Sequence, residues 1–184
     1  MEEVVGLLTP VLFLMLFVAP VIHIFLDRSS ARRTRGRVLE LIFFWWIGLS
    51  GAQSVAAGLG HILPGHEEIA DQIGFAQSPF QWEVGFADIA VGVILILAAW
   101  KRGDYIVPAL VAFAVLYIGD AIGHIIQWVE HDNTEPYNIY VIPTDFGQPI
   151  IAIILYLLLR RDHPESLARS AAPAARHEPA AQTA

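Results

Sequence analysis

Long apolar runs dominate the chain, and its polar residues gather in short clusters between them. A run of about 20 residues, at about 1.5 Å per residue, matches the core of a bilayer. The pattern predicts five membrane-spanning helices, at about 4–26, 40–62, 83–100, 105–129 and 146–160. Pro10 and Pro20 fall inside the first, where neighbouring helices can satisfy the freed carbonyls. That run follows Glu2 and Glu3 rather than Lys or Arg, and no small-residue cleavage pattern comes after it. A retained helix is therefore expected in place of a signal peptide. The expected fold is all-α, an integral membrane bundle of five transmembrane helices over residues 1–162. Residues 163–184 are rich in Ala, Pro and polar side chains with little to bury, so a disordered cytoplasmic tail is expected. Residues 63–81 carry Ile69, Ile73, Phe75 and Phe80, which predicts a short amphipathic helix on the surface or a cap over the bundle.

The charges orient this bundle. Arg28, Arg32, Arg33, Arg35 and Arg37 follow the first run, Lys101 and Arg102 the third, and Arg160 and Arg161 the fifth. The two remaining loops contain no Lys or Arg. By the positive-inside rule the N-terminus faces out and the C-terminus faces in, as a multi-pass protein of a bacterial inner membrane. Trp82 and Trp128 then mark the outer interface and Trp100 the inner one. The lipid bilayer is the principal partner, and the arginine run is expected to meet its anionic headgroups. A formal charge of −7 divides between the two faces and so points to no partner. No cysteine is present, which excludes disulfides, thiolate metal sites and cysteine nucleophiles. No basic patch outside these loops suggests nucleic acid, and Ser50, Ser54 and Ser78 lie in no nucleophile motif.

Candidate chemistry lies in the polar residues that interrupt the apolar runs. In "YIGDAIGHIIQWVEHD", Asp120, His124, Gln127 and His131 are spaced to share one helix face. The predicted topology brings them toward His61 and the deeper Gln53 on the second span. Glu83 and Asp88 on the third, and Asp145 and Gln148 at the start of the fifth, join them in the outer leaflet. A charge in the hydrocarbon costs about 2.5–3.5 kcal/mol or more, so it must pair, bind a cation or carry a proton. His61, Glu83 and His124 form the expected centre, a mixed imidazole and carboxylate set suited to a divalent metal ion. Asp88, Asp120, Gln53 and Gln127 are its second-rank ligands. A haem between His61 and His124 is the lesser alternative.

The plainer reading is that these groups satisfy one another and fix helix packing, with Gly58, Gly60, Gly119 and Gly123 allowing close approach. The expected function is binding of a metal ion, proton or small ligand in an outward-facing site. One alternative is a membrane enzyme acting on a lipid or quinone by His–carboxylate acid–base chemistry. The other is a structural subunit of a homo-oligomer or membrane complex, without a site.

Four stretches, "GHILPGH", "SPFQWEVGFADIAVG", "GDAIGHIIQ" and "PYNIYVIPTDFGQPI", resemble a family of small bacterial integral membrane proteins classed as a domain of unknown function. The likeness covers about residues 40–160. It implies a shared membrane fold and no particular reaction. It also implies that His61, Glu83 and His124 belong to the common pattern, with Asp88 and Asp120 outside its fixed part.

Overall fold

The structure, a computed structural model, describes residues 2–64 and 66–168, and side chains from Pro10 onward. The described residues form six α-helices and no strand: α1 (Glu2–Leu26), α2 (Arg35–Ile62), α3 (His66–Ile73), α4 (Phe80–Lys101), α5 (Ile106–Glu130) and α6 (Pro136–Asp162). Short 3-10 turns, Gly103–Tyr105 and Pro164–Leu167, precede α5 and follow α6. Four stretches are long and apolar enough to cross a membrane: α2, α4, α5 with its preceding turn, and α6. Pro10–Leu26 in α1 is a shorter apolar helix.

Two helices begin earlier than the hydropathy pattern predicts. Thr34 caps α2, its hydroxyl accepting the Arg37 amide at 3.3 Å, so the helix starts within the arginine run. In α6 the helix starts at Pro136 rather than near 146, with Pro143 and Pro149 inside it. Proline suits a first helical turn, and packed neighbours tolerate it further in. Asp145 therefore lies well within α6 and not at its mouth.

The antiparallel α2–α4 pair is the most extensive contact in the fold. A methyl on Gly51 would lie 2.7 Å from the Gly92 carbonyl oxygen, and one on Gly92 2.5 Å from that of Gly51. Gly58 and Gly85 meet in the same way two turns along. Glycines seven apart on both helices thus let the backbones touch, a heptad-like seam. Leu16, Phe43, Ile47, Leu95, Phe113 and Leu159 are fully buried in one core that joins α1, α2, α4, α5 and α6. Leu14, Phe17, Val111, Val115, Ile154 and Leu157 are exposed on the outside, as a lipid-facing surface requires.

Basic residues from the start of α2 and the end of α4 meet carboxylates at one end. Arg37 pairs with Asp27 and Glu40, each at 3.0 Å, Arg102 with Glu40 at 2.7 Å, and Arg35 with Asp162 at 3.4 Å. The Arg37 guanidinium, helped by the Ser29 amide, holds the Asp27 carboxyl down to about 2. Leu167, in the turn after α6, packs against the core. Residues 169–184, the rest of the expected tail, lie outside the described residues.

Candidate functional site

Polar side chains enter the bundle from the end opposite the arginines. Asp88 on α4 is only 6% exposed, and Asp120 on α5 and Asp145 on α6 are partly buried. Counted from Phe80, Glu130 and Pro136, the nearest helix ends, they stand eight, ten and nine residues in. At the helical rise that is about 12–15 Å from those ends. The three carboxyls lie within electrostatic range of one another and of Tyr117. Among the described residues no Lys, Arg or His stands within ion-pair distance of any of them.

The surroundings of the cluster are polar as well. Ser54 on α2 donates to the Asp88 carbonyl at 2.8 Å, and Ser50 and Gln53 are buried on the same helix. Gln148 on α6 is buried, and its Oε1 has no hydrogen-bond partner among the described residues. Its main-chain carbonyl accepts the Trp46 indole N–H at 3.0 Å. Pro149 has no N–H to offer the Asp145 carbonyl four residues back, so that oxygen lacks its helical donor.

His61, Glu83 and His124 are placed differently from expectation. Glu83 is exposed in the first turn of α4. Gly85 turns toward α2, where its added methyl would lie 3.0 Å from the His61 Cβ. Two residues are about 200° of helix, so Glu83 points away from the contact that holds His61. The His61 Nδ1 is buried without a hydrogen-bond partner among the described residues, and its electrostatic neighbour is His66. His124 belongs to another arrangement. Its Nδ1 lies 2.8 Å from Oδ1 of the fully buried Asn138. Asn138 Nδ2 donates to the carbonyls of His124 and Asn133, at 3.2 and 3.1 Å, which fixes the amide orientation. The Asn138 oxygen is therefore the acceptor and His124 Nδ1 the donor, which leaves Nε2 as the nitrogen free to exchange a proton.

This arrangement also holds α3 in place. The Phe75 ring lies 5.3 Å from the His124 ring. Asn133 Nδ2 donates to the carbonyls of Ile73 and Gly74, at 2.8 and 3.3 Å. Gly74 has a φ of +69°, and a methyl there would lie 2.7 Å from the Asn133 side-chain oxygen. The α3 segment thus caps the bundle end, one of the two forms the sequence predicted.

Among the described residues no three His, Asp or Glu side chains converge closely enough to hold a metal ion. The expected trio is accordingly not assembled as a three-ligand set. Gln127 is partly buried, and its main-chain carbonyl accepts from the amides of His131 and Asn133 at 3.2 and 3.1 Å. Gly58 packs closely, as expected, whereas an added methyl on Gly119 or Gly123 meets open space. Sequence reasoning missed Asn138 and Asn133, because both stand in a stretch that reads as loop.

No curated protein and no solved structure matches the chain. A family model described as a family of unknown function, DUF6790, matches residues 7–165, which take in α2 to α6 entirely and most of α1. The chain belongs to this family, DUF6790.

Proposed function

We propose that this protein spans a bacterial inner membrane five times, with its N-terminus outside, and binds a cation, first of all a proton, at the Asp88, Asp120 and Asp145 cluster. One observation carries the reading. The three carboxyls come from three helices into one region of the bundle, and among the described residues none has a Lys, Arg or His within ion-pair distance, His124 acting on Asp120 only from longer range. Three bare carboxylates at that depth would oppose one another and lose their hydration. A shared proton or bound cation relieves both costs. The spread of the donors, which form no three-ligand group, favours the proton. His124 stands one helical turn from Asp120, toward the end capped by α3. Its Nε2, free to exchange a proton, offers a relay between the cluster and that end.

Infrared spectroscopy of the protein in lipid nanodiscs, titrated from acid to alkaline pH, tests this. Wild type should show the carbonyl band of a protonated carboxylic acid at neutral pH. Asp88→Asn, Asp120→Asn and Asp145→Asn should each reduce it and move the titration of the remaining pair by about one pH unit or more, as coupled groups do. A fully ionised cluster at neutral pH, in folded protein with no retained metal by elemental analysis, would sink the reading. A stoichiometric metal ion with no acid band would replace the proton by that metal.

A further inference from the structure

At the arginine end a cavity of about 900 Å³ opens between the α1–α2 loop, the start of α2, the end of α4 and the turn after α6. Arg35, Arg37, Arg102, Trp100 and His163 are among its walls, with the carboxylates of Glu40 and Glu165, the latter 3.6 Å from His163 Nδ1. That volume is in the range of small-molecule sites. The walls are braced from below. Glu40, whose side chain is 12% exposed, accepts from both Arg37 and Arg102. The Arg102 guanidinium also stacks on the Phe44 ring at 4.0 Å. Gly36 lets the His163 imidazole sit on the first turn of α2, where a methyl would come within 2.8 Å of its Nδ1.

Arg102 itself is under constraint. Its φ is +57°, a left-handed conformation that favours glycine and that a long side chain adopts at a cost. Such strain gathers at ligand clamps, and here a charged side chain is kept where glycine would be easier. A smaller groove of about 160 Å³ shares Glu40 and Arg102 with the cavity and is walled by Leu41, Phe44, Trp45 and His23, the Trp45 indole donating to His23 Nδ1 at 2.9 Å. Arg102 thus stands between a charged cavity and a groove with one apolar wall, Leu41, Phe44 and Trp45. Arg28, Arg32 and Arg33, on the adjoining loop, have no carboxylate partner among the described residues, which leaves the rim positive.

We infer that this end holds one anionic phospholipid, its phosphate on Arg102 and Arg35 in the cavity and part of an acyl chain in the groove. Planar guanidinium groups suit a phosphodiester, and a charged cavity joined to the Leu41, Phe44 and Trp45 wall matches an amphiphile. The inference is independent of the aspartate cluster.

Native mass spectrometry of the full-length protein in detergent, titrated with phosphatidylglycerol, phosphatidylcholine or inorganic phosphate, tests it. One phosphatidylglycerol should bind about tenfold more tightly than phosphatidylcholine, and equimolar inorganic phosphate should not displace it. Arg102→Gly suits the local backbone and should weaken that binding about tenfold. Arg33→Gly removes the same charge at a second left-handed position, φ +63°, outside the cavity walls. It should stay within about threefold of wild type, as screened charge alone allows. If Arg102→Gly does not fold, Arg35→Gln serves, since that side chain is 67% exposed, and it should also weaken binding about tenfold. Equal weakening by Arg33→Gly, or equal affinity for the two lipids, would overturn the site. Displacement by inorganic phosphate would overturn the lipid and assign a soluble phosphate ligand.

Discussion

At the residue scale, Asn138 does more than its place near a loop suggests. One buried amide accepts from His124 and donates to two carbonyls, so it joins α5, α6 and the loop between them. Asn138→Ala would leave these groups without partners in a dry site. The expected loss is about 2–4 kcal/mol, read as a lower unfolding temperature in detergent. Unchanged stability would mean that water or headgroups already serve those carbonyls. Asparagine gave no signal here because its side chain suits turns and caps as well as buried networks. Histidine and the carboxylates were legible as chemistry, but their directions were not. Glu83 and Asp88 are five residues apart on one helix, yet one is exposed and the other buried.

At the element scale, the α2–α4 seam depends on four glycines. Gly58→Ala or Gly92→Ala would drive a methyl into the facing backbone, which cannot retreat as a side chain can. A loss of about 1–3 kcal/mol is expected from each in detergent unfolding. Gly119→Ala meets open space and should be neutral or stabilising by up to about 1 kcal/mol, because alanine is the better helix former. Equal losses at Gly58 and Gly119 would contradict the seam. Sequence alone marked Gly58, Gly60, Gly119 and Gly123 alike as packing residues. Only helix rotation separates them, since Gly58 faces α4 and Gly119 faces outward. The early start of α6 has a similar origin. Pro136 stands in the first turn and Pro143 and Pro149 lie inside the helix, where a packed membrane helix need not end at proline.

At the scale of the whole molecule, the two ends of the bundle differ in charge, and this allows a direct test of orientation. Thr134→Cys, in the loop before α6, should react with an impermeant thiol reagent in intact cells, whereas Ser30→Cys, in the arginine loop, should not. The reverse pattern would invert the assignment, and the chain has no cysteine of its own to confuse it. The sequence by itself determined the helical class, the long apolar helices and the gathering of arginines at one end, because hydrophobic length and loop charge are local properties of the chain. It also marked Asp88, Asp120 and Asp145 as polar groups needing company. The tertiary structure alone decided which residues keep that company. It gathers His61, Glu83 and His124 into no three-ligand group among the described residues, places Asp145 well inside α6, and brings Arg35, Arg102 and His163 around one cavity. The physical reason is that a side chain's direction follows from helix rotation and register, which packing against other helices sets and hydropathy does not record.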